Sequence, residues 1–146
     1  MTKINFYILA SSNEIERLHF VCRLVEKAYK NQHRIYIHAD SRTLAHQLDE
    51  LLWTYRDECF LPHHLYGEGP EPHPPIQIGF DVKPENHRDI LINLHPEVPT
   101  FISQFSLVCE IIKNDSDHQT LARDNYRKYR AQGYNITTHK LQSIEV

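Results

Sequence analysis

A chain of 146 residues with 40% hydrophobic, 24% charged and 10% aromatic residues has the composition of one ordinary folded domain, which excludes a disordered tail, a collagen-like repeat and a coiled coil. Sixteen Lys plus Arg against 19 Asp plus Glu leave a formal charge of -3, so overall charge does not draw the protein onto nucleic acid or an anionic membrane. No run approaches the ~18 apolar residues of a membrane span, and residues 1–12, charged only at Lys3, are too short for a secretory leader; a cytoplasmic location without membrane contact is expected.

Residues 3–9, K-I-N-F-Y-I-L, make a short apolar and aromatic run suited to a largely buried strand. Ser11, Ser12 or Asn13 then caps a helix on which Ile15, Leu18, Val21, Cys22 and Val25 recur at helical spacing, with Lys27 and Lys30 near its end. A second strand over residues 34–39 leads to Asp40 or Ser41 as the cap of a helix carrying Leu44, Leu48, Leu51 and Leu52 along one side. Strand, helix, strand, helix predicts right-handed parallel pairing in an α/β sheet.

Prolines 62, 70, 72, 74 and 75, with Gly67 and Gly69, make the middle of the chain a surface loop, since such a segment holds neither a regular helix nor a central strand. Strands follow at residues 76–80 and 89–94, separated by a polar turn over 84–87. Beyond Pro96 and Pro99, residues 101–112 are apolar enough for a short turn or helix feeding an inner strand at 106–112. Asp115, Ser116 and Asp117 open a last helix that Gly133 ends, and residues 134–139 return as a final strand. No repeat or linker interrupts this pattern, so residues 1–146 are expected to form a single domain: a Rossmann-like three-layer α/β/α fold with a mostly parallel central sheet.

The motifs for cofactor chemistry are missing. The first strand runs into Ala10-Ser11-Ser12-Asn13 with no glycine, whereas a dinucleotide-binding turn needs small residues to admit a pyrophosphate. Gly67-Glu68-Gly69-Pro70 lacks the lysine and hydroxyl of a phosphate-binding loop and reads as a turn. Cys22, Cys59 and Cys109 are odd in number and widely spaced, which suits buried reduced thiols rather than disulfides or a zinc site. Eleven histidines show no catalytic spacing; His63 and His64 are adjacent and would point to opposite faces of an extended chain. No catalytic site, no cofactor and no metal are expected.

The last helix carries the most informative cluster. At about 100° per residue, Leu121, Ala122, Tyr126 and Tyr129 gather on one side, while Arg123, Arg127 and Arg130 fall in one stripe beside it. Like charges at these spacings cost an isolated helix a few tenths of a kcal/mol each. Such a stripe is either a solvated face that complements the helix dipole or a site for an anion, to which arginine offers paired planar donors. Flanking Asp115, Asp117 and Asp124 favour a small acidic peptide over duplex DNA. Around Trp53 and the segment Cys59-Phe60-Leu61-Pro62, the aromatics either close the end of the core or form an apolar patch for a protein partner.

The order and spacing of several strings resemble the chi subunit of bacterial DNA polymerase III holoenzyme: F-Y-I-L at 6–9, L-D-E-L-L-W at 48–53, F-L-P-H-H-L-Y-G-E-G-P at 60–70, R-D-I-L-I-N-L at 88–94 and L-A-R-D-N-Y-R-K-Y-R-A-Q-G-Y-N at 121–135. The resemblance covers nearly the whole chain and implies an α/β fold. It also implies a non-catalytic accessory subunit that pairs with the psi subunit and is thereby tethered to the clamp-loader complex. Such a subunit grips the acidic C-terminal tail of single-stranded DNA-binding protein, which ends in Pro-Phe with a free carboxylate, and meets DNA mainly indirectly. Arg123 and Arg127 match basic tail-contacting positions of the family, with Tyr126 and Arg130 nearby as supports. A further basic position falls near Gln119, a departure that puts the number of charge contacts in question. Trp53 and Phe60 match the family's apolar partner surface, to which proximity adds Leu61 and Pro62. Two other readings stand beside this one: a direct single-stranded nucleic-acid binder using the arginine and tyrosine face, and a metal-dependent hydrolase using histidines of the 62–73 loop.

Overall fold

Seven strands lie side by side in the order β3-β4-β2-β5-β6-β1-β7. They are β1 (Lys3–Ile8), β2 (Ile35–Ala39), β3 (His63–Leu65), β4 (Ile76–Phe80), β5 (Ile90–Asn93), β6 (Leu107–Ile112) and β7 (Asn135–Lys140). The helices are α1 (Glu14–Lys30), α2 (Arg42–Thr54) and α3 (Ser116–Ala131), with a 3-10 turn at Ile102–Gln104. This computed structural model describes residues 2–55, 61–66, 74–80, 82–84 and 88–141. Every strand pairing among the described residues is parallel, one step beyond the mostly parallel sheet expected.

Side chains alternate between the two faces of a strand, and both faces of this sheet are covered. On one face Leu18, Val21 and Val25 of α1 and Leu44, Leu48 and Leu52 of α2 pack with Ile35, Ile37, Ile76, Ile78, Ile90 and Ile92. On the other, Ala122 and Tyr129 of α3 and the 3-10 segment with Phe101, Ile102 and Phe105 cover Ile4, Phe6, Tyr36, Leu91 and Val108. The result is the three-layer α/β/α arrangement.

The helix boundaries follow from the caps. Asn13 Oδ1 accepts the N–H groups of Ile15 and Glu16 at 2.8 and 3.2 Å, Ser41 Oγ accepts that of Leu44 at 3.1 Å, and Asp115 Oδ1 that of His118 at 2.8 Å. Gly133 ends α3 at φ 83°, a left-handed conformation that glycine adopts without a Cβ penalty.

Three expectations need correction. The 62–75 segment is not loop throughout: residues 63–65 form β3, paired among the described residues with β4 alone, and so short a strand leaves no local pattern to read. Ile15 does not share the apolar face of α1; it is 66% exposed in the first turn, before the helix settles on the sheet. On α3, Leu121 is 41% exposed while Asn125 is 5% exposed, because the sheet-facing line runs through positions 122, 125 and 129. Asn125 is accommodated there by donating to Pro96 O at 2.8 Å.

Candidate functional site

The sheet-facing line of α3 decides what its flanks present. Tyr129, fully buried, sets its ring edge-on to Phe6 at 5.9 Å and donates its hydroxyl to Glu110 Oε2 at 2.5 Å. Asn93 Nδ2 donates to the same oxygen at 2.9 Å. Burial pushes the Glu110 carboxyl up to about 7, although these two hydrogen bonds and the charge of Arg17 act in the opposite direction. Glu110 was not singled out in the sequence; its one signal is a lone carboxylate inside the apolar strand L-V-C-E-I-I.

With Tyr129 and Asn125 holding the helix down, Arg123, Arg127 and Arg130 lie exposed along one flank, and Tyr126 is half-buried beside them with its ring 5.6 Å from that of Phe6. Ile8 and Ile136 are also half-buried against the α3-side core. Phe6 of β1 stands between Glu110 of β6 and Thr138 of β7 in the sheet. The basic groups thus flank a half-buried aromatic ring. Arg127 Nη1 forms an ion pair with Asp124 Oδ1 at 3.1 Å, which neutralises part of the stripe. Gln119 ties back to Asn114 Oδ1 through its amide at 3.0 Å.

A cleft borders the opposite flank of α3, lined by Leu121, Ala122 and Asn125 together with Arg17, Glu110 and His118. Arg17 there is held by Glu14 through two bonds of 2.9 and 2.8 Å. Burial alone would raise the Glu14 carboxyl, but Arg17 and then Lys113 hold it below the ordinary carboxylate range. His118 Nδ1 accepts the N–H of Lys113 at 2.8 Å, and burial, followed by the charges of Arg17 and Lys113, pushes its imidazole down.

The second sequence-derived surface divides. Trp53, in the last turn of α2, is 52% exposed and lies over the imidazole of His63 with ring centroids 4.3 Å apart. His63 is itself buried, with Nε2 2.9 Å from Asp49 O and Nδ1 2.5 Å from Leu61 O. Leu61 is a correction: only 1% exposed, it belongs to the core between α2 and the sheet, and its side chain is not available at a surface. Pro62 is half-buried, and Phe60 lies outside the described residues. Cys22 and Cys109 are buried free thiols, each pushed up to about 12 by burial, and Cys59 also lies outside the described residues. Among the described residues no three His, Cys, Asp or Glu side chains group so as to hold a metal ion, and no helix is long and apolar enough to cross a membrane.

The profile of one family, described as DNA polymerase III chi subunit, HolC, matches residues 1–137. The chain belongs to the DNA polymerase III chi subunit family. It is 40% identical over 144 residues to DNA polymerase III subunit chi of Pseudomonas aeruginosa, covering 99% of this chain and 100% of that one. The subunit of the same name from Escherichia coli is 32% identical over 143 residues, covering 94% and 97% respectively. That of Haemophilus influenzae is 31% identical over 137 residues, covering 93% and 95%. Among solved structures, the crystal structure of T4 UvsW matches with a TM-score of 0.67 at 10% identity, over 96% of this chain and 41% of that chain. At that identity the likeness shows the α/β fold alone. As a member of the chi family the protein is an accessory subunit of DNA polymerase III.

Proposed function

We propose that this chi-family protein pairs with the psi subunit, is tethered through it to the clamp-loader complex, and binds the acidic C-terminal tail of single-stranded DNA-binding protein in the cytoplasm, so linking the replicase to coated template. The reading is supported above all by the juxtaposition on α3 of Arg123, Arg127 and Arg130 with the half-buried Tyr126. Guanidinium groups suit the tail's aspartates and terminal carboxylate through charge-assisted bonds, and the half-buried ring of Tyr126 suits its last phenyl ring. Trp53, exposed at the end of α2, is the anchor for psi.

The test is fluorescence anisotropy of a labelled peptide ending in Asp-Asp-Ile-Pro-Phe, with a free and with an amidated C-terminus. Saturable binding is expected for the free acid only, and Arg123→Ala should weaken it about tenfold or more, the worth of one charge-assisted contact. A change below about twofold removes Arg123 from the site.

A further inference from the structure

The cleft at the carboxyl ends of β4, β2 and β5 has no part in this reading, yet it is the larger of the two clefts described. Its cavity volume is about 270 Å³, a little under the ~300–1,000 Å³ usual for drug-sized sites, which leaves room for one flat ring. His38 from the end of β2 and His95 just beyond β5 line it with their rings stacked at 5.4 Å and 21° between planes. Phe101 meets His38 edge-on at 5.2 Å. Val82, following β4, is a wall residue that remains 41% exposed. Lys83 and Glu97, both exposed, bring one charge of each sign to the rim.

The position has a topological reason. The chain passes from β4 back over β2 to β5, so its connections change direction here, and open parallel sheets bind ligands outside the carboxyl ends of the strands at such points. The chemistry narrows the occupant. His38 is buried, stacked between Tyr36 and His95, so the half-buried His95 ring is the aromatic platform for a flat ring, on which bases stack regardless of sequence. Glu97 N–H donates to His95 Nδ1 at 3.1 Å, which leaves the proton of the neutral ring on Nε2 as a donor. Lys83 adds donors and Glu97 acceptors, the mixture that the edge of a base requires, while their opposite charges offer nothing to a polyanionic backbone.

We infer that this cleft binds a nucleobase, stacked against His95, which itself rests on the buried His38, with Val82 as its wall and Lys83 and Glu97 at its polar edge. The base comes either from a free nucleotide or from an unstacked position of a single strand. The test is an NMR titration of the intact protein that follows the imidazole Cε1–H resonances of both histidines, with nucleoside monophosphates in one arm and a single-stranded oligothymidylate in the other. Saturable shifts of both rings are expected, weakened about tenfold or more by His95→Ala and by Val82→Asp, and unchanged by Arg127→Ala. Val82 is exposed, so its variant keeps the test valid if His95→Ala unfolds. Saturation by monophosphates assigns a free nucleotide; shifts with the oligonucleotide alone assign a base within a strand. Silence of both rings at millimolar ligand, or binding that neither cleft variant weakens, overturns the proposal.

Discussion

Tyr129 of α3 and Glu110 of β6 share a hydrogen bond of 2.5 Å in the interior, a contact that fastens the arginine-bearing helix to the sheet through a titratable group. Its chemistry gives the fold a pH dependence of defined sign. With the folded carboxyl near 7 and an ordinary carboxyl at 4.5, the folded state keeps a proton that the unfolded chain releases. The stabilisation is complete below the ordinary value and is lost as pH rises through the folded one. Its size is at most about 3 kcal/mol. Denaturant midpoints from pH 4.5 to 8 should therefore fall more steeply for the wild type than for Glu110→Gln, whose side chain does not titrate. Parallel curves would mean that Glu110 does not hold the proton.

The ion pair between Arg127 and Asp124 competes with any acidic ligand of the stripe. Asp124→Asn should free the guanidinium and tighten binding of the free-acid tail peptide by about two- to fivefold at low salt, the scale of an exposed pair, with the gain shrinking as salt is added. Anisotropy titrations at two ionic strengths decide this; weaker binding by the variant would place Asp124 itself on the ligand.

Trp53 and Leu61, eight positions apart, should behave as opposites. Trp53→Ala, at a half-exposed ring, is expected to abolish co-purification with psi and leave tail binding intact. Leu61→Ala, in the core, should instead destabilise the fold by about 2–5 kcal/mol. Thermal melts alongside the pull-down separate a lost surface from a lost fold.

Gly79 has a packing role that its place inside a strand conceals. A Cβ there would lie 1.9 Å from the hydroxyl oxygen of Tyr36, which donates to Val82 O at 3.1 Å. Gly79→Ala should cost about 1–3 kcal/mol through displacement of that ring. Adding Tyr36→Phe should recover part of the loss, because the nearest atom is gone; a melt showing no recovery would place the strain elsewhere.

Much of this protein was legible in its residues because the deciding physics is local. Apolar runs at 3–9 and 34–39, a capping side chain ahead of each helix, and Gly133 after the last one locate most of the elements within a residue or two. The arginine stripe is equally a matter of helical spacing. Parallel order in the sheet was inferable from alternation, but the permutation β3-β4-β2-β5-β6-β1-β7 was not, since pairing between distant strands carries no local mark. For the same reason β3 was hidden among prolines, and Leu61 could not be told from its surface neighbours.

The sequence by itself determined the family, the alternation of strands and helices, and the arginine stripe of α3. Only the tertiary structure decided that Asn125 rather than Leu121 faces the sheet, because burial of a polar amide depends on Pro96 O arriving from another loop. It likewise decided that Glu110 is buried between Asn93 and Tyr129, and that His38 and His95 meet in one cleft. These are contacts between segments distant along the chain, and their energies arise from desolvation and geometry that exist only once the sheet has closed.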